Sequence, residues 1–319
     1  MSRTFLASLT SLSFAVCFVS LFPTDSVSFA ETQKDSANTS VSPKKEDEKP
    51  ELTTYPDVSS VLSAVLERAE KDAGKKPRLV AFGEYHQLKG KTHIRSALKR
   101  FTDDLFPLVK SFASDLVLET FIPEGNCGKQ EKQVVKDVET TTKRPETTES
   151  ELVTLIKQAK AQGVQPHILQ VSCKDYQSVL DEQGQVDYVK MLKLVNDLLQ
   201  KRISDIRTRR TKAGVDKVVL AYGGALHNDL YPQQELAEYT FGKSLSETFP
   251  DEYLEIDLYV PEYIEKDKQI LSQTWYLPFK KIQNPGQFVV VRRGPGSFIV
   301  LFPSSGTTNK PEKPQKTPK

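Results

Sequence analysis

From residue 54 onward the apolar side chains follow two alternating rhythms. After Pro56-Asp57, the positions Val58, Val61, Leu62, Val65, Leu66 and Ala69 recur every three or four residues, which predicts an amphipathic helix. RLVAFG at 78–83 is a short apolar run with polar flanks, the pattern of a buried strand. A second helical stretch runs from Thr92 to Ser111, with Ile94, Leu98, Phe101 and Leu105 on one side and Pro107 as a kink or break. DLVLET (115–120) is the next strand, and a helix over ESELVTLIKQAKAQG ends at Gly163. HILQVS (167–172) follows as a strand, and then the longest helix over 186–211. DKVVLAYGG (216–224) and YLEIDLYV (253–260) are further strands, and the stretch around Trp275 fits neither rhythm. FVVVRR and SFIVLFP, joined by Gly294-Pro295-Gly296, form a terminal hairpin.

Strands separated by helices of this length require right-handed crossovers. The fold class is therefore α/β: a mainly parallel sheet with helices on both faces, to which the C-terminal hairpin adds antiparallel edge strands. No internal repeat is visible.

The flanks read differently. Arg3 followed by the uncharged stretch LASLTSLSFAVCFVSLF and by Ser28-Phe29-Ala30 gives residues 1–30 the form of a cleaved export signal. Cys17 sits in a poor lipobox, so a lipid anchor is not expected. Residues 31–53 and 304–319 hold too few core-forming side chains to offset chain entropy, so they read as a disordered linker and tail around a single domain at 54–303. Residues 128–148 are polar and read as a surface insertion. Without the signal two cysteines remain, Cys127 and Cys173, a pair suited to a disulfide in a periplasmic or extracellular setting. No membrane span is expected after signal cleavage. Lys plus Arg total 44 against 42 acids, and no basic stripe carries interleaved aromatics, so nucleic acid is not a partner. The cluster Arg207, Arg209, Arg210 and Lys212 ends a helix, where cations suit the dipole.

Open parallel sheets bind ligands beyond the carboxyl ends of their strands. Those ends here read Gly83-Glu84-Tyr85-His86, Glu119-Thr120, Ser172-Cys173-Lys174-Asp175 and Tyr222-Gly223-Gly224-Ala225-Leu226-His227-Asn228-Asp229. With His93 further along the loop after His86, three of the four histidines thus reach one edge of the sheet. The other, His167, starts a strand and is assigned a structural role. Buried charge is costly unless it is paired or metal-bound. Glu119 is either paired with a cation such as Arg95 or chemically employed. Glu84, His86, Glu119 and His227 form the candidate catalytic and metal-binding set, with His93, Arg95, Tyr85, Tyr222 and Asp229 as candidate substrate contacts. Imidazoles with carboxylates suit zinc, manganese or iron, and such an ion would activate water. Without metal, His86 would serve as a general base oriented by a carboxylate. No G-x-S-x-G, H-E-x-x-H or G-x-x-x-x-G-K-[ST] is present.

The stretches LVAFGEYHQLKGKTH and VVLAYGGALHNDLYP resemble the superfamily that joins ChaN-like iron-regulated lipoproteins, erythromycin esterases and TraB/Tiki proteins, and are closest to the ChaN-like haem-binding uptake domain. The resemblance covers about residues 76–260 and implies an α/β fold with its ligand site at the strand ends. It carries roles onto Glu84, His86, His93 and His227, and onto Glu119 less directly. The family's activities are haem or iron binding, metal-dependent peptide cleavage and ester hydrolysis. The first expectation is therefore an exported metal-dependent hydrolase acting on a small molecule or peptide. The alternative is a haem or iron carrier with Tyr85 or Tyr222 as axial ligand. A structural cell-envelope protein with a vestigial site comes third. The chain departs from the ChaN-like pattern in its weak lipobox and few methionines.

Overall fold

A computed structural model describes Pro50–Phe121, Cys127, Pro145, residues 147–284 and residues 286–305. The export signal, most of the linker, the tail beyond 305 and nearly all of the polar insertion lie outside these residues.

The chain opens with β1 (Glu51–Tyr55), then α1 (Val58–Ala73) and β2 (Leu79–Glu84). Asp57 starts α1 by accepting the Ser60 amide at 2.8 Å, and Gly74 closes it at φ 72°. The second helical stretch is α2 (Ala97–Arg100), a π turn (Phe101–Leu105) and α3 (Phe106–Val109), leading into β3 (Ala113–Phe121). Next come α4 (Thr147–Ala161), β4 (Gln165–Leu169), α5 (Cys173–Ser178) and the long α6 (Tyr188–Lys212). After these follow β5 (Val218–Gly224), α7 (Ala225–Asn228), α8 (Gly242–Thr248) and β6 (Tyr253–Tyr259). The last part is α9 (Pro261–Ile264), α10 (Lys268–Leu271), α11 (Tyr276–Ile282), β7 (Phe288–Gly294) and β8 (Ser297–Leu301).

One sheet of eight strands runs β1-β7-β8-β6-β2-β5-β3-β4. The six strands from β8 to β4 pair in parallel, and β7 pairs antiparallel with both β1 and β8. Alternation along the strands sends Val80, Phe82 and Leu220 to a front face with α1, α2, α3, α4 and α11, and Leu79, Ala81 and Val219 to a back face with α5, α6 and α8. The expected α/β class with both faces covered is what forms.

Five expectations shift in detail. The linker does not reach residue 53: Glu51–Tyr55 pairs with Phe288–Arg292, so backbone hydrogen bonding orders a segment whose side chains bury little. For that reason the hairpin is not at the edge, because β1 covers β7 and β8 lies inside against β6. The helix expected from Thr92 begins at Ala97, where the Ser96 side chain accepts the Lys99 amide. HILQVS stops as a strand at Leu169, since Ser172 and Asp175 form a capping box that opens α5. At the tail, Ser304 and Ser305 are still tied to the body, through Gln283 and Arg100.

At the other margin, β4 is short and carries Pro166 opposite Leu116. Cys127 and Cys173 are disulfide-bonded with Cα atoms 5.1 Å apart, as expected. Closing that loop stabilises the fold by up to about 4 kcal/mol in the chain-entropy account. Among the described residues no helix is long and apolar enough to cross a membrane.

Candidate functional site

Leaving β2 the chain runs toward β3, and leaving β6 it runs toward β7, in opposite directions along the sheet. The switch point thus lies between the carboxyl ends of β2 and β6, beside Glu84. Glu84 points to the front, like Phe82 two residues before it. Its Oε1 lies 2.6 Å from His86 Nδ1, and the Tyr222 hydroxyl donates to its Oε2 at 2.5 Å. All three are buried. The Tyr222 ring lies 4.6 Å from that of Phe101, centroid to centroid, which fixes the phenol over the carboxylate.

Other polar groups share this front rim. Gln87 Nε2 and the Tyr263 hydroxyl both donate to the Ile94 carbonyl at 2.7 Å. Ser96 donates to Glu151 at the start of α4. Burial raises the pKa of the Glu151 carboxyl, and the charge of Glu84 adds to the effect.

Glu119 and His227 form a second pair, on the back face. Glu119 follows the alternation of Val117, and its Oε2 accepts the Gly224 amide at 2.5 Å. His227, on α7, holds its Nδ1 2.8 Å from the Tyr239 carbonyl, which makes Nδ1 the protonated nitrogen when the ring is neutral. Its Nε2 then lies 3.7 Å from Glu119 Oε1.

The four residues expected to share one ion therefore reach the same rim but split into two dyads on opposite faces. The physical reason is the period of two along a strand. Glu84 ends β2 and Glu119 lies near the end of β3, with β5 between them, and the two sit on opposite phases of the pleat. Among the described residues no group of three or more His, Cys, Asp or Glu side chains is arranged to hold a metal ion.

The other candidates fall as follows. Tyr85 donates to Asp267 at 2.7 Å. Arg95 is bound to Asp104 and Asp103 at 2.7 and 2.8 Å and is not the partner of Glu119. His93 is exposed in the loop before α2, away from either dyad's hydrogen bonds. Asp229 pairs with Arg293 on the back. Lys174 is exposed at the start of α5, and Asp175 is spent on the capping box. His167 lies on Asp115 at 2.8 Å, in the structural role expected of it.

Two adjacent glycines organise the back of the rim. Asp257, Gly83 and Gly223 are in register on β6, β2 and β5. A Cβ on Gly83 would stand 2.4 Å from Asp257 Oδ1 and 2.7 Å from Ala225 Cα, and one on Gly223 would stand 2.4 Å from Glu119 Oε2. The Gly83→Ala variant is expected to lose about 1–3 kcal/mol in urea denaturation, because the backbone of α7 cannot move away as a side chain would.

Glu255, Asp257 and Arg293 lie outside every motif of the sequence, and Asn228 stands in one without an assigned role. The signal was present: in YLEIDLYV two acids spaced two apart share one face of an otherwise apolar strand. Glu255 Oε1 takes Arg293 at 2.8 Å and its Oε2 takes the Leu230 amide at 2.9 Å. Asn228 donates to Asp257 at 3.2 Å. Burial, partly offset by Arg293, pushes the Glu255 carboxyl up to about 7, and burial together with the Glu255 charge raises Asp257. Between the ordinary value of 4.5 and about 7 the folded state keeps a proton that the unfolded chain releases. Stability contributed by Glu255 is thus full below about 4.5 and lost as pH rises to about 7, on the order of 3 kcal/mol. Melting temperature is expected to fall over that window, and Glu255→Gln is expected to flatten the profile.

No family model matches this chain, and neither a curated protein nor a solved structure matches it. The functional reading rests on its own residues.

Proposed function

We propose that this chain is an exported hydrolase whose chemistry centres on the Glu84–His86 dyad. The observation that carries the reading is the 2.6 Å contact between Glu84 and His86 Nδ1, with Tyr222 holding the other carboxylate oxygen, at the sheet's switch point. With Nδ1–H donated to Glu84, the neutral imidazole directs its lone pair from Nε2. It then takes a proton from water as the water attacks an ester or amide carbonyl. Glu84 stabilises the imidazolium that results, and Tyr222 keeps Glu84 in place. Glu151, which burial and the Glu84 charge favour in its protonated form, supplies an acid on the same rim. The disulfide between Cys127 and Cys173 supports export to an oxidising compartment.

A second reading, in which metal is bound, has one observation in its favour. The Nδ1–H of His227 is donated to a backbone carbonyl and its Nε2 faces Glu119, which is how metal-ligating histidines are commonly oriented. The back dyad would need ligands beyond these two residues.

The test is turnover of a panel of model esters and short peptides by the whole protein, alongside elemental analysis and an absorption spectrum. Hydrolysis that collapses in both Glu84→Gln and His86→Ala supports the proposal. Hydrolysis indifferent to both overturns it. Stoichiometric zinc or manganese lost in His227→Ala would move the chemistry to the back face, and a haem Soret band would make the protein a carrier.

A further inference from the structure

Six large apolar side chains are exposed among the described residues, and three of them lie on α10 and α11: Leu271, Leu277 at 67% and Ile282. The inner side of α11 buries Tyr276 and Phe279 in the front core. Helical geometry therefore turns Leu277 and Lys281, one turn apart, outward together. Lys266, Lys268 and Lys280 are exposed around them. The acids of residues 265–284 are engaged elsewhere: Glu265 takes Lys91 at 2.8 Å, and Asp267 caps α10 and accepts Tyr85. Leu88, 40% exposed, and Lys89 stand in the loop that Lys91 fastens to α9. The chain also leaves the described body here, where Gln283 donates to Ser304 at 2.6 Å. The sequence beyond carries Lys310, Lys313, Lys316 and Lys319 against Glu312.

We propose that this face docks on an anionic lipid bilayer. Its apolar side chains are interleaved with lysines, whereas protein interfaces are depleted of lysine. Lysines beside apolar groups suit a membrane surface, where the stem lies along the acyl boundary and the ammonium reaches the headgroups. Each lysine near an anionic leaflet strengthens binding by about fivefold, and the basic tail adds to that attraction. The proposal does not depend on the hydrolase reading.

The test places an environment-sensitive fluorophore at Leu277→Cys, in a full-length Cys17→Ser background. The protein is mixed with phosphatidylcholine vesicles with or without phosphatidylglycerol. A residue-specific reporter separates this contact from any affinity of the N-terminal apolar segment. The expected result is a blue shift with the anionic vesicles only, reversed by high salt. The same label at Lys193→Cys, exposed on α6 at the back, stays unchanged. Adding Lys280→Glu and Lys281→Glu to the labelled chain weakens vesicle binding at least tenfold. No shift at residue 277, or equal shifts at 277 and 193, overturns the proposal. A shift with polyglutamate but not with vesicles also overturns it and assigns the face to a protein partner.

Discussion

Replacing His86 with alanine is expected to lower kcat/KM by about 100- to 10,000-fold for any ester or peptide the protein turns over, the range general-base removal commands. Glu84 holds the imidazole and Tyr222 holds Glu84, and alanine at 86 leaves that chain of hydrogen bonds without its nitrogen base. Glu84→Gln keeps the ring but removes the charge that stabilises the imidazolium, and a loss nearly as large is expected. The two variants together are expected to cost little more than one, because the residues act as a unit. Added imidazole separates chemistry from packing. Partial rescue of His86→Ala by free imidazole supports a proton-transfer role, whereas unchanged turnover in the variant ends the assignment.

Arg293→Ala is expected to destabilise the fold by about 3 kcal/mol or more, the cost of leaving a buried ion pair without one partner. Arg293 binds Asp229 and Glu255 and donates to Ser297 at 3.0 Å. Burial works against its charge, but the acids Glu255, Asp229 and Asp257 outweigh that and hold the guanidinium ionised. Removing it leaves acids facing one another with no cation between them. The Glu255 carboxyl, already at about 7, rises further, so the loss should be larger near pH 8 than near pH 5, where protonation quiets the repulsion. Urea denaturation at about these two pH values measures both numbers. An equal loss at each would show that Arg293 acts through packing alone.

Much of this architecture was legible in the sequence because burial writes itself into periodicity. VVLAYGG is apolar on both faces and forms the strand it implies, and Asp57 and Gly74 mark the ends of α1 as their backbone chemistry requires. What the pattern could not supply was order across the sheet. Nothing in ELTTY announces that it pairs with residues more than two hundred positions later, since an edge strand gains its stability from amide pairing and needs few apolar side chains. The same limit governed the site. Glu84, His86, Glu119 and His227 were all recognisable as strand-end residues, but which face each joins depends on register. A single step of register decides between one shared centre and two separate pairs. Arg293 was invisible as a partner because it lies on β7, Glu255 on β6 and Asp229 just after α7, segments that only the fold brings together.

The proline on β4 bears on how the protein behaves when crowded. Among the described residues β4 is the last strand on its side of the sheet, five residues long, and Pro166 remains in register with β3. Its nitrogen, which carries no hydrogen, is therefore best accommodated on the open side. A second molecule approaching that margin would meet a gap where a donor should be, and a growing stack of sheets would stop there. Concentrated solutions are therefore expected to resist fibrous self-assembly along that edge.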